Sequence, residues 1–153
     1  MAYGDQNSGW CLIKYPIYRS DDAGKIESDY ALIRLAEIYY YLAEIRFYQG
    51  RKEEAEKLLN YVRKRYYPAG SSSLYPENGS ALTEQELLDE WGREFLGEGL
   101  RRQTLCRFGI FNSGTWWDKE PDPDNHTMWI PLSRTTLNTN PNLKQNPGYP
   151  SVN

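Results

Sequence analysis

The sequence predicts a mainly helical fold, and three observations carry that expectation. Residues 29–50 are apolar over most of a helical circumference, and residues 51–67 carry a single apolar stripe at helical spacing. A third stretch opens at Thr83 with Glu86 three positions on, the pattern of a capping box. At 153 residues the chain has the length of one domain. It is accordingly read as a single unit over 1–153, with a helical hairpin at 29–67, a third long helix at 83–108 and a loop-rich tail over 109–153.

Residues 1–28 are polar and studded with aromatics. Their one apolar run, Trp10 to Tyr18, alternates roughly and contains Pro16, which suggests an extended edge segment. Asp21-Asp22-Ala23-Gly24 marks a turn, after which Ser28 or Asp29 can cap the first long helix. In that helix Arg34, Glu37, Tyr41, Glu44 and Tyr48 form one narrow polar stripe. Leu32, Ile33, Leu35, Ile38, Tyr39, Leu42, Ile45 and Phe47 cover nearly everything else. Such a helix needs cover on more than one side and belongs inside an array of helices. Gly50 suits the left-handed position that ends it. In the second helix Ala55, Leu58, Leu59, Val62 and Tyr66 mark the buried stripe, while Glu53, Glu56, Lys57 and Lys64 are expected to face water.

Leu42-Ala43, Gly50, Ala55, Leu59, Val62 and a closing Pro68 together resemble one tetratricopeptide unit, in which small residues let paired backbones approach. A single repeat of that kind cannot bury its own faces. Pro68 to Ser80 is a loop, rich in Pro, Gly and Ser. The third helix is expected to run from Thr83 through Gly92, Gly97 and Gly99 to Phe108. Each glycine costs about 1 kcal/mol against Ala in a helix interior, so the three imply close approach by another segment or a bend. Glu90, Glu94 and Glu98, four apart, repel unless paired. Arg93, Arg101 and Arg102 lie nearby, and Arg34, Glu37, Glu44, Arg63 and Arg65 from the hairpin complete a candidate structural ion-pair mesh. Beyond Phe111 regular structure fades into turns, and such a tail must lie along a surface.

A net charge of −3 with no basic patch argues against nucleic acid as a partner. The 13 tyrosines and 5 tryptophans stand out, since these residues serve aromatic packing as well as sugar-stacking surfaces. Cys11 and Cys106 define neither a metal spacing nor a disulfide framework. The opening MAYGDQNSGWC lacks the basic and apolar regions of a signal peptide. Taken literally the chain is cytoplasmic; taken as a fragment, its address lies elsewhere.

Trp116, Trp117 and Asp118, with Asn125, form the candidate ligand site, because an indole stacks on the apolar face of a pyranose while a carboxylate or amide reads hydroxyls. The competing role is a Trp pair filling a gap beneath the loop. Asp118, Glu120, Asp122 and Asp124 alternate like a calcium loop, but Pro123 and Trp129 occupy the positions that demand Gly and Glu. His126 has no second His or thiol nearby, so no metal site and no cofactor are expected. No nucleophile–base pair is in sequence reach, and a glycosidase built on Glu90, Glu94 and Glu98 is disfavoured by the neighbouring arginines.

RLAEIYYYLAEI, then EEAEKLLNYVRKR, then LLDEWGREFLGEGLRR with LCRFG, then WIPLSRTTLNTNPNLKQNPGY resemble, in that order, the C-terminal part of SusD/RagB-type proteins. The resemblance runs from about Trp10 to Tyr149. It departs from the family pattern at Glu90-Trp91-Gly92-Arg93-Glu94 and at Thr104, where charged residues are usual. It implies a helical fold with tetratricopeptide units and long loops, a lipid anchor at the outer membrane carried by a part absent from this chain, and no catalysis. It implies a glycan or other nutrient as ligand and a SusC-like TonB-dependent barrel as partner. The alternative from the residues alone is a tetratricopeptide-like protein-interaction scaffold that binds no sugar.

Overall fold

The computed structural model describes Lys14, Tyr15 and residues 29–116 and 119–151. The expected extended run Trp10 to Tyr18 and the turn at 21–24 fall outside the described residues, apart from Lys14 and Tyr15. The chain divides into two compact units, Met1–Gly99 and Leu100–Asn153. Among the described residues there are five α-helices: α1 (Leu35–Tyr48), α2 (Lys52–Arg63), α3 (Glu84–Glu94), α4 (Arg101–Arg107) and α5 (Arg134–Thr139). The described residues contain no β-strand, and the fold is mainly α.

The first unit is built on the α1–α2 pair. Gly50, at φ +76°, ends α1 in the left-handed conformation. The Gly50 N–H then donates to the Phe47 carbonyl and the Arg51 N–H to that of Arg46, both at 2.9 Å. This double closure satisfies the orphan carbonyls of α1 and reverses the chain within three residues. Small Ala36, Ala43 and Ala55 are buried where the helices meet, with Leu59 and Val62 beside them. On α3 the Thr83 hydroxyl caps by accepting the Glu86 N–H at 3.0 Å, and Leu87, Leu88 and Trp91 turn inward. Trp91 is the centre of an aromatic cluster, its ring 4.9 Å from Tyr41, 4.9 Å from Phe95 and 5.4 Å from Tyr40.

Four expectations need correction. The first helix begins at Leu35, not at Ser28 or Asp29, because Arg34 is extended (φ −136°, ψ 155°) and its side chain is committed to α3. Its inward face is the one with Ala36, Glu37, Tyr40, Ala43 and Glu44. Leu35, Ile38, Leu42 and Ile45, spaced as a heptad seam, point to solvent and are 36–69% exposed. Glu56 is fully buried instead of facing water, and Tyr66 is 63% exposed instead of buried. Finally, the third helix is not continuous over 83–108. Gly97 and Gly99 take φ of +78° and +76°, so α3 stops at Glu94 and α4 starts at Arg101. Of the two explanations for these glycines, the break in the helix is the one realised.

Glu56 explains the order of the following loop. Its carboxylate accepts the backbone N–H groups of Asn78, Gly79 and Ala81 at 2.8–2.9 Å. Asn60 pairs with both the N–H and the carbonyl of Tyr75. Two buried polar side chains of α2 thus replace the ladder that a loop without secondary structure lacks.

In the second unit Thr104 and Leu105 of α4 are buried with Asn112. The tail folds back on residues 129–132. Gln145 exchanges hydrogen bonds with both backbone groups of Leu132, Asn146 donates to the Ile130 carbonyl, and the Tyr149 hydroxyl donates to the Trp129 carbonyl. α5 opens on Ser133, whose hydroxyl accepts the Thr136 N–H at 3.1 Å. No helix among the described residues is long and apolar enough to cross a membrane.

Candidate functional site

Among the described residues each unit holds a polar constellation. In the first, the acidic row Glu90, Glu94 and Glu98, on α3 and just past its end, meets Arg34 ahead of α1 and Arg63 and Arg65 at and just past the end of α2. Arg34 binds Glu94 through Nη1 at 2.6 Å and Glu98 through Nε and Nη2 at 2.7 and 2.9 Å, a bidentate fork. Arg65 reaches Glu94 at 2.8 Å. Glu90, 2% exposed, accepts from the Tyr40 hydroxyl at 2.7 Å, from Arg93 at 2.8 Å and from Arg63. Glu37 and Glu44 are buried on α1. Arg101 belongs to the second unit.

The electrostatics follow from this geometry. Burial alone raises the Glu90 carboxyl, but hydrogen bonds from Tyr40 and Arg63 outweigh it and hold it below its ordinary value. Glu98 behaves alike, with burial opposed by the Arg34 and Lys14 contacts. Burial first, and the neighbouring Glu90 charge second, push the Tyr40 phenol upward. Arg93 was legible as a partner of the acidic row, whereas Tyr40, Glu86 and Tyr75 were not. Tyr40 carries no spacing signal that separates it from Tyr39 and Tyr41, and Tyr75 lies in a loop.

In the second unit Trp116 is half-buried. Its backbone exchanges two hydrogen bonds with Lys119 at 2.9 and 3.2 Å, and the Lys119 ammonium lies 5.2 Å from the indole centroid. The ring lies so close over Gly114 that no Cβ fits there. Trp117 and Asp118 lie outside the described residues. Asn125 is exposed, in a left-handed conformation (φ 57°), at the head of the short 3-10 turn His126–Met128. No hydrogen bond or ring contact among the described residues joins it to Trp116.

Asp122 ties this loop together. Its carboxylate accepts from the Thr127 hydroxyl at 2.7 Å, the Thr127 N–H at 2.9 Å and Asn112 Nδ2 at 2.9 Å. The Thr127 hydroxyl bond first, and its N–H second, hold Asp122 well below the usual carboxylate range. His126 Nδ1 stands 2.5 Å from Asp124 and 3.2 Å from Asp122. The Asp124 hydrogen bond first, against burial and with the Asp122 charge, raises the imidazole above its ordinary value. The ligand atoms of these three residues lie within 4.8 Å of one another. When the imidazole is protonated, the two carboxylates compensate its charge. The opposite edge of the histidine meets Tyr149 at 4.9 Å between ring centroids.

The SusD family model matches residues 2–149, and the chain belongs to that family. It is similar to the starch-binding protein SusD of Bacteroides thetaiotaomicron, with 36% identity over 153 aligned positions. That match covers 92% of this chain and 26% of the relative, so the chain spans about a quarter of the length of the curated protein it matches.

Proposed function

We propose that this chain is part of a glycan-binding protein of the cell surface that binds its ligand without chemistry and passes it to a TonB-dependent, SusC-like transporter. The observation that carries the reading is its place in the SusD family together with its likeness to a starch-binding relative. The site chemistry supports the non-catalytic half. A glycosidase needs one carboxylic acid with a raised pKa beside a free carboxylate. Here Glu90 and Glu98 are held below their ordinary values by guanidinium and phenol donors, and Glu94 is clamped between Arg34 and Arg65. Trp116 and Asn125, with Trp117 and Asp118, are the residues proposed to meet the sugar. An indole beside a carboxylate or an amide can offer its ring to the apolar face of a pyranose while the polar neighbour reads hydroxyls.

The outer-membrane location, through a lipid anchor carried elsewhere in the full-length protein, and the barrel partner belong to the same proposal. Migration of the purified chain through native gels containing starch or another neutral polysaccharide tests the binding half. Retardation is expected in at least one gel, with no reducing ends released. Capture of a TonB-dependent barrel from solubilised outer membranes tests delivery; a full-length protein recovered only from the soluble fraction would contradict it.

A further inference from the structure

The geometry points to a second carbohydrate subsite, in the first unit, that takes a single neutral pyranose ring between Tyr66, Tyr67 and Leu96 over the Glu90–Arg93 floor. The inference rests on the glycan-binding reading above and adds a location to it.

A cleft of about 250 Å³ lies where the end of α2 faces the end of α3. Its rim is Tyr66, Tyr67 and Leu96, which are 63%, 37% and 62% exposed. Its floor carries Arg63, Arg93, Glu90 and Glu94, together with Lys14, whose ammonium donates to the Glu94 carbonyl and pairs with Glu98. The volume is below the about 300–1,000 Å³ of sites for drug-sized ligands, so it suits one sugar ring rather than a chain.

The rim residues have no evident structural reason to be where they are. The apolar pattern of α2 would bury Tyr66, yet most of it is in water. Neither Tyr66 nor Tyr67 donates its hydroxyl to a described residue. Each ring is already backed on one side by a guanidinium, Arg65 lying 5.1 Å from the Tyr66 centroid and Arg63 5.2 Å from that of Tyr67. Arg65 does not line the cleft, so the Tyr66 ring it backs can turn its other face to C–H contact with a pyranose, whereas Arg63 lies both on the floor and against Tyr67.

The floor supplies the polar half. Each floor carboxylate is paired with arginine, Glu90 with Arg63 and Arg93, and Glu94 with Arg34 and Arg65. A charged ligand would have to break these pairs, whereas hydroxyls can add to them. Arg93, half exposed, directs Nε to Glu90 and Nη2 to Glu86. A guanidinium has five N–H donors, so Arg93 retains donor capacity toward the cleft. Vicinal hydroxyls match such a donor in the bidentate manner of a carboxylate.

The test is titration of the complete chain with maltoheptaose, cellohexaose, mannohexaose and xylohexaose, read by calorimetry, for wild type and three variants. Leu96→Trp fills the cleft from an exposed position without touching the ion pairs; Tyr67→Ala removes the wall; Trp116→Ala reports on the other unit. Melting curves confirm that each variant is folded, and Leu96→Trp serves alone if Tyr67→Ala is not. The expected result is binding of at least one oligosaccharide that weakens about tenfold or more in Leu96→Trp and Tyr67→Ala. Unchanged binding in folded Leu96→Trp overturns this subsite and leaves the glycan-binding reading standing. Failure of the wild type to bind any of the four overturns both.

Discussion

Glu56 illustrates how one residue can order a loop. A carboxylate with no exposure that accepts three backbone N–H groups leaves all three unsatisfied when it is removed. Glu56→Ala is therefore expected to destabilise the first unit by about 3 kcal/mol, and Glu56→Gln by less, measured by urea unfolding. Charge placement also sets the pH response. Glu90 and Glu98 have folded pKa values below the unfolded 4.5, so their stabilisation is present above that pH and is lost as pH falls through the folded values. His126 has the opposite sign. Its folded pKa is raised, so its contribution is complete below about pH 6.5 and disappears as pH rises through the folded value. Asp122, Asp124 and the Tyr149 ring are the groups facing it. Melting of the wild type should thus soften on both sides, and His126→Gln should remove only the alkaline decline.

At the scale of the element, glycine conformation separates two accounts of residues 83–108. Inside a continuous helix, Gly97→Ala would stabilise by about 1 kcal/mol. At a φ of +78° the same substitution is expected to destabilise by about 1 kcal/mol, because L side chains are disfavoured there. The sign of the shift in chemical denaturation decides between them. Local rules made several elements legible: Gly50 ended α1, and Thr83 capped α3. They failed where the deciding partner was distant in sequence. The pairing of Arg34 with the acidic row was anticipated from charge, but nothing near Arg34 reports that it is made from an extended residue, which delays α1 to Leu35. Nothing near Glu56 announces a loop more than twenty residues away. The direction of α1 was ambiguous for another reason: with apolar residues around most of it, periodicity cannot say which face α2 takes. In the candidate loop, Trp116 and Asn125 were visible as residue types, but the Asp122–Asn112–Thr127 clasp is assembled across ten and more residues and has no local signature.

At the scale of the whole molecule, the described residues include an apolar surface on α1. Leu35, Ile38, Leu42 and Ile45 form an exposed seam on α1, with Leu32 and Ile33 beyond its start at 84% and 77% exposure. Contiguous patches of this kind promote association. The isolated chain is expected to sediment as reversible oligomers at high concentration, and Ile38→Lys with Ile45→Lys should shift it toward monomer. Unchanged sedimentation of the double variant would place the contact elsewhere. The same molecule combines neutralised acidic rows with exposed aromatic rings. Glycan binding without chemistry is tested most directly by incubating the chain with neutral oligosaccharides while recording binding heat and then analysing the ligand by mass. Saturable heat with at least one oligosaccharide and complete recovery of that ligand at its original length are expected. Shortened product, or no heat with any neutral oligosaccharide offered to a chain that melts cooperatively, would contradict it.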